Sequence, residues 1–304
     1  MGLTQGGRTR ALNSTAALAY TRRMALPGDF DLDQFVQRVL AEDLGTGGDV
    51  TSKATIAEDA RFTAEMNARQ AIVVAGIDIA AAFFETLDAG VQIELVARDG
   101  DHMAHGSTLM RLSGSARAML TAERSALNTL QHLSGIATLT RSYVDAIAGT
   151  GTVLLDTRKT LPGLRVLEKY ASRMGGAQNH RMRLDDGVLI KDNHVAVCGG
   201  VAEAVRRAKA ANSGLQVQVE VDRIDQIEPA LAGGATHLLL DNMAPEVLRG
   251  AVTLVGGRVP TEASGGVTLE TIREIAETGV TYVSVGRLTQ SAPAADIGLD
   301  LAIA

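Results

Sequence analysis

The chain has 304 residues, 46% of them hydrophobic and 21% charged, with 32 glycines and a formal net charge of −6; that suits a globular α/β protein of one large or two ordinary domains. No apolar run approaches the roughly eighteen residues of a spanning helix and no charged-then-apolar leader opens the chain, so the expected location is cytoplasmic. A single cysteine, Cys198, builds neither an internal disulfide nor a cysteine metal cluster, and 3% aromatic content without tryptophan offers few stacking platforms for nucleic acid.

Residues 1–28 carry Arg8, Arg10, Arg22 and Arg23, no acid and no sustained apolar period, which reads as a disordered tail. An organellar presequence is the alternative for such a basic stretch, and Met24 is an alternative start. From Asp31 the spacing of Leu32, Phe35, Val36, Val39 and Leu40 predicts a helix ending near glycines 45–48. Strand-like runs follow at 62–66, 72–74, 91–96 and 108–112, with a helix over 77–87 between the second and third, an α+β arrangement. A long helical pattern covers about 118–147, with an interruption expected near Ser134 and Gly135.

The second half changes character. Short β-rich runs at 153–156, 188–191, 217–221, 238–241, 259–263 and 282–285 alternate with helical stretches, the pattern of repeated βα units. In a parallel α/β barrel the chemistry sits at the C-terminal ends of the strands. Here those ends carry, in order, Arg158 with Lys159, Lys191 with Asp192, Glu220, Asp241 with Asn242, Ser264-Gly265-Gly266, and Gly286. Polar or glycine residues at one end of six successive strands point to one shared mouth.

Between Arg158 and Lys191 eight lysines or arginines face three acids, a net +5 that leaves −11 on the rest of the chain. A local cationic pocket in an acidic protein suits a small polyanion; a solvated basic surface fits the charge alone equally well. Arg158 and Arg181 can each grip a carboxylate in a bidentate fork while Lys159 adds a movable point charge, so a dicarboxylate is a natural guest. Only five residues are lysines against 24 arginines, and Lys159 and Lys191 are two of those five. Glu220 and Asp241 end adjacent strands and can hold magnesium, directly or through water, or accept protons from ribose hydroxyls. Ser264-Gly265-Gly266 before a helical stretch at 269–278, and Gly286 after the last strand, let bare backbone amides approach phosphate. His180, inside the cationic segment, is assigned a binding role rather than that of a general base.

These motifs carry a resemblance. Glu123-Arg124-Ser-Ala-Leu-Asn, Asp156-Thr-Arg-Lys-Thr, Asn179-His-Arg, Leu189-Ile-Lys-Asp-Asn-His, Glu262-Ala-Ser-Gly-Gly and Val285-Gly, with Glu42-Asp-Leu-Gly and Asp49-Val-Thr-Ser upstream, resemble the quinolinate phosphoribosyltransferase family from about Phe30 to the C-terminus. The resemblance implies an N-terminal α/β sandwich over 29–128 completed by 289–304, and an incomplete parallel α/β barrel over 129–288, the type II phosphoribosyltransferase arrangement. It implies a homodimer, with further assembly open, in which Arg124 acts on the partner's site. Quinolinate would meet Arg124, Arg158, Lys159, His180, Arg181 and Lys191. Phosphoribosyl pyrophosphate and Mg2+ would meet Lys159, Lys191, Glu220, Asp241, Ser264, Gly265, Gly266, Gly286 and Arg287, with Lys159, Glu220 and Asp241 as the catalytic set and Glu220 and Asp241 toward the metal.

The implied reaction joins quinolinate to phosphoribosyl pyrophosphate with loss of CO2, giving nicotinate mononucleotide and pyrophosphate for NAD biosynthesis. The chain departs from the family pattern at Ala177, where a third glycine is usual, and at Arg287 and Gln290, where a small residue and a histidine are expected. The alternatives are a sibling transferase of the same fold with another base, and a non-catalytic phosphosugar sensor.

Overall fold

A computed structural model describes residues 30–211 and 214–302; the tail expected over 1–28 lies outside them. Two acids start the described chain. Asp31 accepts from Gln34 N (2.9 Å) to cap α1 (Leu32–Leu44), and Asp49 accepts from Ser52 N (2.9 Å) to cap α2 (Val50–Thr55). The apolar spacing read in the sequence buries Phe35, Val36 and Leu40 of α1.

Next come β1 (Arg61–Ala68), β2 (Ile72–Val73), α3 (Ile77–Leu87), β3 (Gln92–Leu95), β4 (His102–Met103) and β5 (Thr108–Ser115). Strands β1, β5 and β3 form an antiparallel sheet that the chain's last strand, β12 (Ile297–Ala302), completes in the order β12-β1-β5-β3, with Thr63 opposite Ala302 and Ala68 opposite Ile297. β4, too short to show a period, pairs with β2. Met66, Phe83, Leu109 and Leu130 lie in one apolar core that joins this sheet to α3 and α4.

Helix α4 (Ala116–Ala146) runs 31 residues without a break, so the interruption expected at Ser134 and Gly135 is absent. The two residues serve packing instead. Ser134 Oγ accepts from Ala75 N (3.1 Å), and a Cβ on Gly135 would lie 2.1 Å from Pro293 O. The glycine lets the returning chain press against α4, where Ala295 N donates to Gln131 O (2.9 Å) and Gln131 Nε2 to Ile297 O (2.7 Å).

The parallel strands are β6 (Val153–Leu155), β7 (Val188–Ile190), β8 (Val217–Val221), β9 (His237–Asp241), β10 (Thr261–Ser264) and β11 (Tyr282–Ser284). Their spatial order is β6-β11-β10-β9-β8-β7, a barrel wall. Beyond β6, Gln178 forms a single parallel bridge with Leu155, and among the described residues no pairing joins this edge to β7; the ring stays open there. Helices α5 (Arg165–Met174), α6 (Asp192–Cys198), α7 (Val201–Ala211), α8 (Ile227–Gly233), α9 (Pro245–Val255), α10 (Ile272–Ala276) and α11 (Arg287–Gln290) follow the strands. Val219, Leu238, Leu240, Ala263 and Val283 fill a second core. Ala177 is buried in it without a positive φ, so its place makes no demand for glycine. No described helix is long and apolar enough to cross a membrane.

Alanine in a helix is normally favoured over glycine by about 1 kcal/mol. Gly135→Ala should nevertheless destabilise the protein by roughly 2 kcal/mol, because the methyl displaces the Pro293 segment. Urea unfolding checks this, and a more stable variant would contradict it.

Candidate active site

The C-terminal ends of the barrel strands surround one cleft of about 740 Å3. Arg158, Lys159, His180, Arg181, Lys191, Glu220, Asp241, Ser264, Gly265, Gly266, Gly286 and Arg287 all line it, as does Gln290. Arg124 does not; it is exposed on α4 and outside the cleft of its own chain.

One wall is cationic. Arg158 and Arg181 are partly buried, the Nε of each is buried without a hydrogen-bond partner, and among the described residues neither has a carboxylate within ion-pair distance. Arg181 Nη1 donates to Gly187 O (2.8 Å). Burial, then the neighbouring Arg158, pushes the Arg181 guanidinium below its usual range. Two like charges desolvated side by side are costly in the free protein and favourable beside a dianion.

Facing them, Glu220 and Asp241 end β8 and β9. Burial holds both carboxyls above the usual range; for Glu220 the nearby Asp241 adds to this and Lys191, its Nζ 3.9 Å away, opposes it. Asp241 also accepts from Asn242 Nδ2 (2.6 Å). Asn242 is the only described non-glycine residue with positive φ (53°), a left-handed backbone that asparagine tolerates, and its N donates to Ser264 O (2.8 Å). This locks the β9 end to the glycine loop: a Cβ on Gly265 (φ 93°) would strike Asn242 Oδ1, whereas one on Gly266 would meet nothing. Bare backbone therefore faces the cleft at Gly266. At Gly286 a Cβ would lie 2.6 Å from Lys159 Cδ, so this glycine makes room for the lysine stem, and Thr289 Oγ1 donates to Lys159 O (2.7 Å).

His180 has both ring nitrogens engaged within the protein. Nδ1 accepts from Arg181 N (2.9 Å), and Nε2 lies 3.1 Å from Gln218 Oε1 and 3.4 Å from Glu262 Oε2.

Sequence reasoning missed the groups behind the wall. Of the eight cations counted between Arg158 and Lys191, four line the cleft. Lys169 instead forms a fully buried ion pair with Asp156, and Arg165 ties Thr160 Oγ1 (3.1 Å) to Met182 O (3.3 Å). No sequence signal marked them: Glu168, Lys169 and Ser172 of α5 are buried with Leu167 and Ala171, although charged residues on a helix read as surface.

A parallel barrel whose mouth brings together arginines and lysines, glycine backbone and a desolvated acid pair defines a phosphosugar-handling enzyme of the phosphoribosyltransferase class. The quinolinate phosphoribosyl transferase N-terminal domain matches residues 49–134 and the C-terminal domain of the same name residues 136–300. The chain belongs to the quinolinate phosphoribosyl transferase family. It is 44% identical over 271 residues to the nicotinate-nucleotide pyrophosphorylase (carboxylating) of Mycobacterium leprae, covering 88% of this chain and 95% of that one. It is 42% identical over 273 residues to the probable enzyme of that name from Bacillus subtilis, covering 90% and 94%. The crystal structure of the Ehrlichia chaffeensis nicotinate-nucleotide pyrophosphorylase superposes with a TM-score of 0.87 at 39% identity, over 90% of this chain and all of that one.

The raised acids have a consequence for stability. The native state holds these protons more tightly than the unfolded chain, so stability is lost as pH rises through and above the ordinary carboxylate range. Glu220→Gln should therefore melt about 2 °C or more above the parent at neutral pH, with a smaller gain under acid. Calorimetry at two pH values checks it, and a lower melting point at neutral pH would show that the carboxylate is stabilising.

Proposed function

We propose that the protein transfers the phosphoribosyl group of phosphoribosyl pyrophosphate to quinolinate and releases CO2, forming nicotinate mononucleotide and pyrophosphate. The observation that carries this reading is the adjacent, desolvated pair Arg158 and Arg181, whose buried Nε atoms have no protein partner. A dicarboxylate supplies both missing anions. A monocarboxylate leaves one guanidinium buried and unpaired, so quinolinate is favoured over nicotinate.

Within this reading Arg158 and Arg181 fix the acceptor ring, with Lys191 near the acids. The backbone at Gly265, Gly266 and Gly286, with Ser264 and Arg287, receives phosphate, and Lys159 reaches across from the cation wall. Arg287 lends this chain an extra charge at the phosphate end. The quinolinate nitrogen forms a bond to the anomeric carbon as the bond to pyrophosphate oxygen breaks. Glu220 and Asp241 place negative charge near the developing sugar cation. The C–C bond to the adjacent carboxylate then breaks, and the pyridinium nitrogen stabilises the electron pair left behind until a proton replaces CO2. Positioning accounts for most of this chemistry.

Glu220 and Asp241 fit Mg2+. Among the described residues no group of three or more His, Cys, Asp or Glu converges on one point, and a hydrated Mg2+ needs only one or two carboxylates when substrate phosphates complete its shell. Bound there, it would neutralise charge on the pyrophosphate leaving group. Arg124, exposed and remote from its own cleft, suits contribution to a second copy's site in a homodimer. A cytoplasmic location fits the single cysteine.

Purified protein with magnesium, quinolinate and phosphoribosyl pyrophosphate should form nicotinate mononucleotide and CO2, with nicotinate a poor acceptor. Product from nicotinate alone would indicate a sibling transferase, and phosphoribosyl pyrophosphate binding without turnover a sensor. Arg158→Ala should lower kcat/KM for quinolinate by roughly 30-fold, about 2 kcal/mol for a lost charged contact; unchanged kinetics would remove Arg158 from the acceptor site. Mixing inactive Arg124→Ala and Glu220→Gln proteins should restore activity through hybrid dimers with one intact site. Failure of assembled hybrids to regain activity would place Arg124 outside the partner's site.

A further inference from the structure

The floor of the cleft is polar where a parallel barrel normally packs Val, Ile and Leu. Gln218 lies two residues before Glu220 on β8, and Glu262 two before Ser264 on β10, so each points into the barrel one layer below a cleft residue. They are 9% and 3% exposed. Glu262 forms part of the cleft floor, and Gln218 lies behind it. Buried polar groups are costly unless their partners are complete, and these are. Gln218 Nε2 donates to Glu262 Oε2 (2.6 Å) and Gln218 Oε1 lies 3.1 Å from His180 Nε2.

The chain of bonds has one direction. Glu262 Oε2 is the acceptor of the Gln218 amide and lies 3.4 Å from His180 Nε2; burial pushes its carboxyl up, but the hydrogen bond and charge interaction with His180, with donation from Ser284 and Gln218, hold it below its usual range. An acceptor there obliges Gln218 to present its NH2 to Glu262 and its oxygen to His180. His180 Nε2 must then carry a proton. At the other side of the ring Nδ1 accepts from Arg181 N (2.9 Å), which a protonated Nδ1 could not do. The remaining ionisable neighbour, His237 on β9, is pushed down by burial, opposed by Glu262 and reinforced by His180.

We propose that Gln218 and Glu262 are positioning residues that hold His180 as the neutral Nε2–H imidazole, whose Nδ1 anchors the backbone of Arg181 and thereby aims its guanidinium. His180 is then a strut behind the acceptor site and makes no charged contact with the substrate. The inference rests on the reading of Arg181 as a ligand of the acceptor carboxylate.

Two measurements test it. In 15N-histidine NMR of the wild-type protein near neutral pH, the resonance assigned to His180 by its loss in His180→Asn should show the neutral Nε2–H form; an imidazolium or an Nδ1–H form would overturn the proposal. In Gln218→Met, which keeps the volume but loses both hydrogen bonds, KM for quinolinate should rise about tenfold while KM for phosphoribosyl pyrophosphate stays within about twofold. Equal rises in both, or no change for quinolinate, would contradict it. Arg181→Lys separates the underlying assumption: an unchanged quinolinate KM there would remove Arg181 from the acceptor site while leaving the histidine result intact.

Discussion

The buried carboxylate of Asp156 is the constraint on which the site depends. It follows β6 and precedes the Arg158–Lys159 pair, and it takes donors from four directions. Lys169 Nζ and His180 N (2.8 Å) reach Oδ1; Ser172 Oγ (2.8 Å) and Asn179 Nδ2 (2.5 Å) reach Oδ2. One anion thus joins the end of β6, helix α5 and the 178–181 segment. Burial pushes the Lys169 ammonium down and Asp156 opposes the shift. Deleting one partner of such a pair typically costs about 3–5 kcal/mol, because the other charge is left unpaired in the interior.

Helix α5 extends the same brace outward. Its Glu168 accepts from Leu161 N (3.1 Å) and meets His132 Nε2 of α4 (2.9 Å); its Tyr170 OH donates to Asp99 Oδ2 (2.5 Å), whose Oδ1 accepts from Ile77 N (3.0 Å). The cation-bearing loop is therefore tied through α5 to α4 and to the start of α3. The barrel mouth and the antiparallel sheet form one framework, and the guanidiniums keep their spacing despite mutual repulsion.

The βα alternation was legible because parallel strands buried on both faces read as short apolar runs, and every one of the six runs overlaps a barrel strand. The strand-end rule then located Arg158, Lys159, Lys191, Glu220, Asp241, Ser264 and the cleft glycines, whereas Arg181 came from the cationic segment and Arg124 lies outside the cleft of its own chain. What the sequence hid was polarity turned inward. Lys169 and Glu168 read as ordinary helix surface, and nothing in a run of letters shows that Asp156 waits beneath them. Gly135 read as a weak point because glycine costs helix stability, whereas its value lies in an approach by residues 158 positions further along. Strand β12 shows the same limit: six residues gain their meaning from β1, which precedes them by more than two hundred positions.

The barrel interior is thus graded. Val219, Leu238 and Leu240 pack the opposite, helix-facing side of the strands; inside, Gln218 and Glu262 bond to each other, and at the mouth the Nε atoms of Arg158 and Arg181 lack partners while Glu220 and Asp241 are held above their usual range. Each layer completes the one beneath it, so the deficit in hydrogen bonds and counter-charge collects at the mouth, where a ligand can reach it. Acids held above their usual range lose proton affinity when a cation arrives, and the Arg181 guanidinium, held below its own, gains it when an anion arrives. An anion beside the arginines or a cation beside the acids would therefore relieve a penalty already incurred during folding, and the rigidity supplied by Asp156 keeps that penalty from being dissipated by the two arginines simply moving apart.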